Sequence, residues 1–421
     1  MGAFGHRGFL YVLAVGLLAA PNGGRAEQPK IWWQNPVPSI EEISKGRLHA
    51  GDKLNKETID AVKEYVPEAF YRDLQNGAEW LIVATTPAER LLIPDLIKAS
   101  KENLGKAQLK PDGTVFMPDG KPWIGGFPFP EPRSGLEVMV NREFTNADSK
   151  FGGTCVLYWV NPTGRTYKKT VMGQSGELFA SGRVCQAPKP YLPGYESELW
   201  RQLSVFTDPY DVKGLGILTI VYVDQSRYPD AWGYVPVLRR VQRFSSGQRY
   251  DSADGSDFRV GDWDTFSDPL SFWEFKLVER KPYFSSLTGI PGENGAKELG
   301  DGKYPKDERV ELRDTVVLEA FPKDPSHIYS KKRIFVDVGT WKAYLGQFYD
   351  RQGELWLAFS LWYSRAEAEC GNFPDLSWVS MQNYQTQGAT LARCEGYLID
   401  PPEHLRRPDF FSLKYLSSQG R

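Results

Sequence analysis

Residues 349–363, YDRQGELWLAFSLWY, set the tightest constraint on what this chain can fold into. After a turn-forming Asp-Arg-Gln-Gly, a strand sends Leu355, Leu357, Phe359, Leu361 and Tyr363 to one side and Trp356, Ala358, Ser360 and Trp362 to the other, because successive strand residues alternate. An ordinary antiparallel sheet dries one face and shows the other to water. This strand is apolar on both sides, so each face needs a cover.

The strands around it repeat the demand. CVLYWVNPTGRTYKKTVMG reads as a hairpin about 161–164, GILTIVYVD as a β-branched strand, and GYVPVLRRVQRF, SFWEFKLVER and ERVELRDTVVLEAFP as further strands. KRIFVDVGTWKAYLGQFYDRQGELWLAFSLWY is a meander with turns at 338–340 and 351–353. About ten or eleven strands in one antiparallel run predict an α+β protein with a large curved sheet. Before them, 27–130 is helical and loop-like. NKETIDAVKEYVPEAFYRDLQNG places Ile59, Val62, Tyr65, Val66 and Phe70 on one helical stripe, with Asn55 as N-cap and a kink or split at Pro67. PDLIKASKENLG is a second helix, and the Pro- and Gly-rich PDGTVFMPDGKPWIGGFPFPEP connects to the sheet domain, 131–421. If the sheet curls, helices or a guest cover its concave face and the N-terminal segment its convex face.

The chain's beginning bears on compartment. Arg7 precedes the apolar run FLYVLAVGLLAA at 9–20, and Gly24-Arg25-Ala26 has the small residues of a cleavage site, the pattern of a secretory signal peptide over 1–26. No later segment approaches the roughly 20 apolar residues of a membrane helix. A periplasmic mature chain with no transmembrane segment is expected, and with no cysteine at its start it is not expected to be a lipoprotein. Lysine and arginine number 51 against 53 acids, a formal charge of −2. That balance gives no electrostatic footprint for nucleic acid or an anionic membrane. The short basic run Lys331-Lys332-Arg333 precedes a β-branched strand and reads as an aggregation gatekeeper.

Four cysteines, Cys155, Cys185, Cys370 and Cys394, in an exported chain favour two disulfides over metal or redox chemistry. Three connectivities are open. Neighbour pairing, Cys155 with Cys185 and Cys370 with Cys394, is the expectation, each loop contributing roughly 3 kcal/mol.

Catalytic chemistry has little to build on. His49, His327 and His404 are isolated, which fits surface or capping roles and not a zinc site. GQSGE around Ser175 lacks the nucleophile-elbow spacing and reads as a turn. The stretch 251–268 holds Asp251, Asp254, Asp257, Asp262, Asp264 and Asp268 without the regular spacing of a calcium loop, so a solvated loop whose aspartates cap turns is the reading preferred. No metal, cofactor or catalytic residue is assigned. What remains is aromatic surface. Trp159, Trp273, Phe275, Tyr344, Phe348, Trp356, Phe359 and Trp362 lie on expected strands and are the candidate wall of a ligand cavity, with plain core packing as the competing account for each.

The segments LKPDGTVFMPDGKPWIGGFPFPEPRSGLEVMVNREF, AWGYVPVLRRVQRFSSGQRYDSADGSDF, WEFKLVERKPY and HIYSKKRIFVDVGTWKAYLGQFYDRQGELW resemble, in order and spacing, a bacterial family known as domain of unknown function thirteen twenty-nine. The resemblance covers nearly the whole mature chain. It implies a lipoprotein-carrier-like, unclosed β-barrel with helices on its concave side and an apolar cavity between. It also implies a link to envelope exporters of lipids or hydrophobic compounds. The cysteine pairs are not part of that family pattern.

The expected function is non-catalytic binding or carriage of a hydrophobic ligand: a lipid, a lipoprotein acyl chain or a hydrocarbon-like compound, passed to or from an envelope exporter or outer-membrane partner. The rivals are a secreted hydrolase using a carboxylate such as Asp257 or Asp264, and a structural envelope protein that docks a partner. Reduction is expected to lower the melting temperature of the exported protein by several degrees, which a thermal scan with and without reductant measures; free thiols in that protein would contradict the disulfides.

Overall fold

The computed structural model describes residues 30–145, 150–291, 302–304, 308–368, 370–395 and 409–418. The expected signal peptide, His404 and Arg406-Arg407 lie outside the described residues.

The N-terminal part begins with α1 (Ile40–Ser44), started by Ser39 in a capping box with Glu42. After the short strand β1 (Lys53–Leu54), Asn55 closes the turn that leads in, its Oδ1 accepting from the backbone N–H groups of Glu57 and Thr58, and the N-cap position is Thr58 rather than the expected Asn55. Two 3-10 turns, at 59–61 and 63–65, come next. The α-helix α2 (Glu68–Gln75) starts only after Pro67, which has no N–H to give to a preceding turn and fits a helix start. The expected stripe is therefore split at the proline. The short strand β2 (Trp80–Ile82), the expected helix α3 (Pro94–Glu102), the hairpin β3 (Gln108–Leu109) with β4 (Val115–Phe116), and α4 (Gly135–Glu143), capped by Ser134, lead into the sheet.

A first run of strands comprises β5 (Lys150–Val160), β6 (Thr166–Phe179), β7 (Glu198–Asp208), β8 (Gly216–Tyr222), β9 (Asp230–Val235) and β10 (Arg240–Arg243). GYVPVLRRVQRF, expected as one strand, is the β9–β10 hairpin, turned by Pro236 and by Arg239 in the left-handed region at φ 49°. An inner segment, 246–272, then runs in short 3-10 turns. The second run is β11 (Trp273–Ser285), β12 (Leu287–Pro291), β13 (Arg309–Pro322), β14 (Lys331–Asp337), β15 (Ala343–Tyr349), β16 (Leu355–Ala368), β17 (Gly371–Asn383) and β18 (Ala389–Glu395), with α5 (Leu413–Ser418) after it.

Sixteen of these strands form one sheet in the order β1-β2-β13-β14-β15-β16-β17-β18-β5-β6-β7-β8-β9-β10, with β11 also on β13 and β12 on β16. The path ends at β1 and at β10, so the barrel is unclosed. Pairing is antiparallel except for two short parallel contacts, β2 with β13 and β12 with β16. Bulges in β6, β7, β15 and β16 bend these strands, which is how a wide sheet curls.

The two faces of β16 have different covers. On the outer face, Trp362 packs against Phe70 of α2 and Trp80 of β2, with ring centroids 5.9 and 5.2 Å away. On the inner face, Phe359 lies beneath Phe258 and Trp263 of the inner segment, at 5.7 and 6.2 Å. Helices α3 and α4 lie on that inner side too, sharing a core cluster with Phe266, Ile334 and Val336. The outer face of β6–β9 is covered from the C-terminus: Phe410, Phe411 and Leu416 pack on Leu178, Leu203, Leu218 and Tyr234.

The disulfides correct the neighbour pairing. Register places Cys394 of β18 directly opposite Cys155 of β5, and these two are bonded, with Cα atoms 4.1 Å apart. Cys185 bonds Cys370 instead, across the sheet's inner side. The closed loops have sequence separations of 239 and 185. The first bond staples the β18–β5 seam, where the two runs of strands meet. Loops of this length contribute about 5 kcal/mol in the chain-entropy model, more than the neighbour pairing would.

The N-terminal part carries a buried acid. Asp73 of α2 sits 2.9 Å from the Tyr384 hydroxyl, and burial pushes its carboxyl from 3.8 up to about 7. A raised pKa means the folded state favours the protonated acid. Its contribution to stability is full below pH 4, falls as pH rises to 7 and is flat above, a loss of roughly 4 kcal/mol. Denaturant titrations of the wild type from pH 4 to 8 are expected to show this decline and Asp73→Asn to remove it; an unchanged slope in the variant would contradict the assignment.

Candidate functional site

The inner segment and the first run of strands do not close on each other. Alternation along β5–β8 turns Leu157, Trp159, Met172, Gln202, Ser204, Phe206, Ile217, Thr219 and Val221 inward, and Phe258, Val260 and Trp263 of the inner segment face them. Between lies an apolar groove of about 330 Å³ that reaches Val212 and Leu215 in the turn between β7 and β8. Its size falls within the roughly 300–1,000 Å³ of small-molecule sites. At its other end it joins a polar pocket of about 110 Å³ lined by Arg142, Glu143, Glu177, Tyr222, Arg227, Asp264 and Lys342. Trp200, Val221, Pro229, Trp263 and Ser267 border both spaces.

Of the aromatic residues expected to form the wall, Trp159 lines the groove. Phe359 forms a second layer, under Phe258 and Trp263. Trp362 faces outward onto Phe70 and Trp80, and Tyr344 is buried with its hydroxyl 3.1 Å from that of Thr315. Trp356 is under Arg259, 4.9 Å from its ring, and beside Tyr329. Phe275 meets Phe266 edge-on at 5.4 Å. Trp273 and Phe348 surround Lys332. The structure therefore does not bring the eight together. The groove is built instead largely from β7 and β8. The signal that could have found it is the alternation of Trp200, Gln202, Ser204 and Phe206 in ELWRQLSVF.

The acidic stretch is not a solvated loop, which corrects the sequence reading. Its carboxylates fasten the inner segment to the sheet. Asp262 and Lys332 of β14 are both fully buried, with Nζ 2.9 Å from Oδ1 and 2.9 Å from the Gly261 carbonyl, and the Tyr329 hydroxyl donates to Oδ2 at 2.6 Å. The rings of Tyr250, Phe266, Trp273, Tyr329 and Phe348 surround the ammonium at 4.8–5.5 Å, where each aromatic face attracts it. Lys332 is thus an anchor inside the curl and not an exposed gatekeeper; Lys331 and Arg333, on the other face of the strand, share Glu319.

Asp268 accepts from Arg249, Tyr250 and Trp273. Asp264 accepts from Arg142 of α4, which also bonds its backbone carbonyl and so holds Asp264 and Thr265 at φ 51° and 68°, costly positions for residues with a Cβ. Asp257 accepts from Asn383 at 2.7 Å, and burial raises its pKa. Asp254 pairs with Lys168 of β6 at 2.5 Å. The two acids considered for hydrolysis, Asp257 and Asp264, are both engaged in this anchoring.

His327 also belongs to this core. It stacks edge-on with Tyr250 and Trp273, its Nδ1 accepts from the Tyr329 N–H, and burial, with Lys332 nearby, lowers its pKa to about 4. His49 is beside Asp52 on the surface. Ser175 is in strand β6, not in a turn: Gly173 sits within a bulge that lets the strand continue, and the Ser175 hydroxyl lies 3.3 Å from that of Ser204 on the groove wall. Among the described residues no cluster of histidine, cysteine and acid side chains could hold a metal ion.

Removing the Lys332 charge strands Asp262 in the core. Lys332→Met is expected to destabilise the fold by about 3–5 kcal/mol in urea titrations, because an uncompensated buried carboxylate remains. A cost below about 1 kcal/mol, the level of a surface pair, would contradict the anchor.

Residues 53–400 match the family described as protein of unknown function (DUF1329). No curated protein matches the chain. Solved structures similar to it include a domain described as an outer membrane lipoprotein-sorting protein domain from Vibrio parahaemolyticus, 19% identical, covering 67% of this chain and 98% of its own with a TM-score of 0.48. A DUF1329 family protein from Desulfovibrio piger is 16% identical over 67% of this chain and 97% of its own, TM-score 0.46. A LolA superfamily protein from Nitrosomonas europaea is 14% identical over 66% of this chain and 100% of its own, TM-score 0.39. The family match spans most of the sequence, and the chain belongs to the DUF1329 family.

Proposed function

We propose that this protein is a periplasmic, non-catalytic carrier of an amphiphilic ligand with a long apolar chain: a lipid, or the acyl chain of a lipoprotein. The apolar part lies in the groove between β5–β8 and the inner segment, the polar end in the adjoining pocket with Arg142, Glu143, Tyr222 and Lys342. The cargo passes to or from an envelope exporter or outer-membrane partner. The observation that carries the reading is the groove itself, apolar, walled by the alternate residues of four strands, and left open by the side chains of the described residues.

The energetics are sufficient. Each buried methylene contributes about 0.8 kcal/mol, so about ten give roughly 8 kcal/mol before the ordering costs of binding. Ser204 and Thr219 supply uncharged hydroxyls along the strand wall, and the ionic side chains that border the groove, Arg249, Asp254 and Arg259, all belong to the inner segment opposite. The two disulfides fit an oxidising compartment. Among the described residues no helix is long and apolar enough to cross a membrane.

Native mass spectrometry of protein purified from its own host tests this, with extraction and identification of what co-purifies. Wild type is expected to carry adducts of lipid mass. Ser204→Trp, which fills the groove, and Phe206→Asp, which puts charge in it, are expected to lower adduct occupancy at least about tenfold, as a loss of some 1.4 kcal/mol would. Their melting temperatures should stay within a few degrees of wild type. Empty wild-type protein, or variants that retain the adduct, would overturn the carrier reading.

A further inference from the structure

We propose that the end of the sheet formed by the β7–β8 and β9–β10 turns docks onto an anionic lipid bilayer and sets the groove's open end against it. This rests on the carrier reading for its purpose, while the docking is measured separately. Strand register brings the two turns together. Gly216 pairs with Tyr234 and Val235 with Arg240, so residues 209–215 and 236–239 emerge side by side at one end of adjacent strands. Asp208 pairs with Val171, which places the first residues of β6 beside them.

These turns carry apolar side chains where polar turn formers are usual. Tyr210 is 92% exposed, Val237 87% and Leu238 49%. A single exposed aliphatic residue needs no explanation, but three on neighbouring turns do. Around them stand the exposed cations Lys169, Lys213, Arg239 and Arg240, against the exposed acids Asp208 and Asp211. A chain with a formal charge of −2 thus gathers an excess of cations at one end, and the balance of the whole sequence conceals it. Aliphatic and aromatic residues ringed by lysine and arginine suit the headgroup boundary of an anionic membrane: the apolar side chains enter it and the cations meet its charge.

The same end is where the groove arrives. Val212 and Leu215, which line it, belong to the turn that carries Tyr210. An alkyl chain entering or leaving there would cross from bilayer to groove with little exposure to water.

Vesicle flotation of the mature protein tests the proposal, with vesicles of phosphatidylethanolamine and phosphatidylglycerol compared with phosphatidylcholine alone. Wild type is expected to float with the anionic vesicles and to be released by high salt. Val237→Asp with Leu238→Asp, and Arg239→Glu with Arg240→Glu, are each expected to weaken flotation by about tenfold or more. Both pairs are exposed, so melting temperatures should not change. Equal flotation with both vesicle types, no flotation, or variants that float like wild type would overturn it. Native mass spectra of the same variants separate the two ideas. Retained lipid with lost flotation places the defect in docking, and flotation by a protein with an empty groove supports docking while counting against the carrier reading.

Discussion

The groove depends on where the inner segment is held by charge. Its seats are Lys332 on β14, Arg142 on α4, Asn383 on β17 and Lys168 near the start of β6, with Arg249 and Asp268 tying the segment to itself. None of these seats is on β7 or β8. These side chains pin the segment to α4, to the second run of strands and to the near edge of the first, while its last residues, Leu270 and Ser271, bond Gln225 just beyond β8. Buried ion pairs add little net stability, since desolvation offsets their attraction. Their consequence here is geometric: they fix how far the segment reaches.

This also resolves the two-sided strand. Around β16 the sheet is covered on both sides by the chain itself, Trp362 by Phe70 and Trp80, Phe359 by Phe258 and Trp263. Around β7 the described residues cover the outer side, with Phe410, Phe411 and Leu416, and leave the groove on the inner one. One sheet thus has a sealed half, which supplies cohesion, and an open half, which supplies the binding surface. The Cys155–Cys394 bond lies at the junction and keeps the two in register.

Much of the architecture was legible because it rests on local pattern. The meander from β14 to β16, the hairpin at 161–164 and the start of α2 after Pro67 arise from alternation, turn residues and proline chemistry. The site was less legible because its wall breaks the apolar pattern that marks strands. Gln202 and Ser204 on β7 make this segment look like a loop. The partners of charges were hidden for a different reason. DSADGSDFRVGDWDTFSD shows six acids, but not that Lys332, 64 residues beyond the last of them, enters the core to meet one. The cysteine connectivity depended in the same way on which distant strands pair.

Photocrosslinking with a fatty acid bearing a diazirine near the end of its chain tests the central claim most directly, with modified residues mapped by mass spectrometry. If the groove holds the alkyl chain, labelling concentrates on Trp159, Phe206, Val212 and Ile217 and is competed away by unlabelled fatty acid. Labelling spread over the surface, or centred on the sealed half around Trp356 and Trp362, would contradict it.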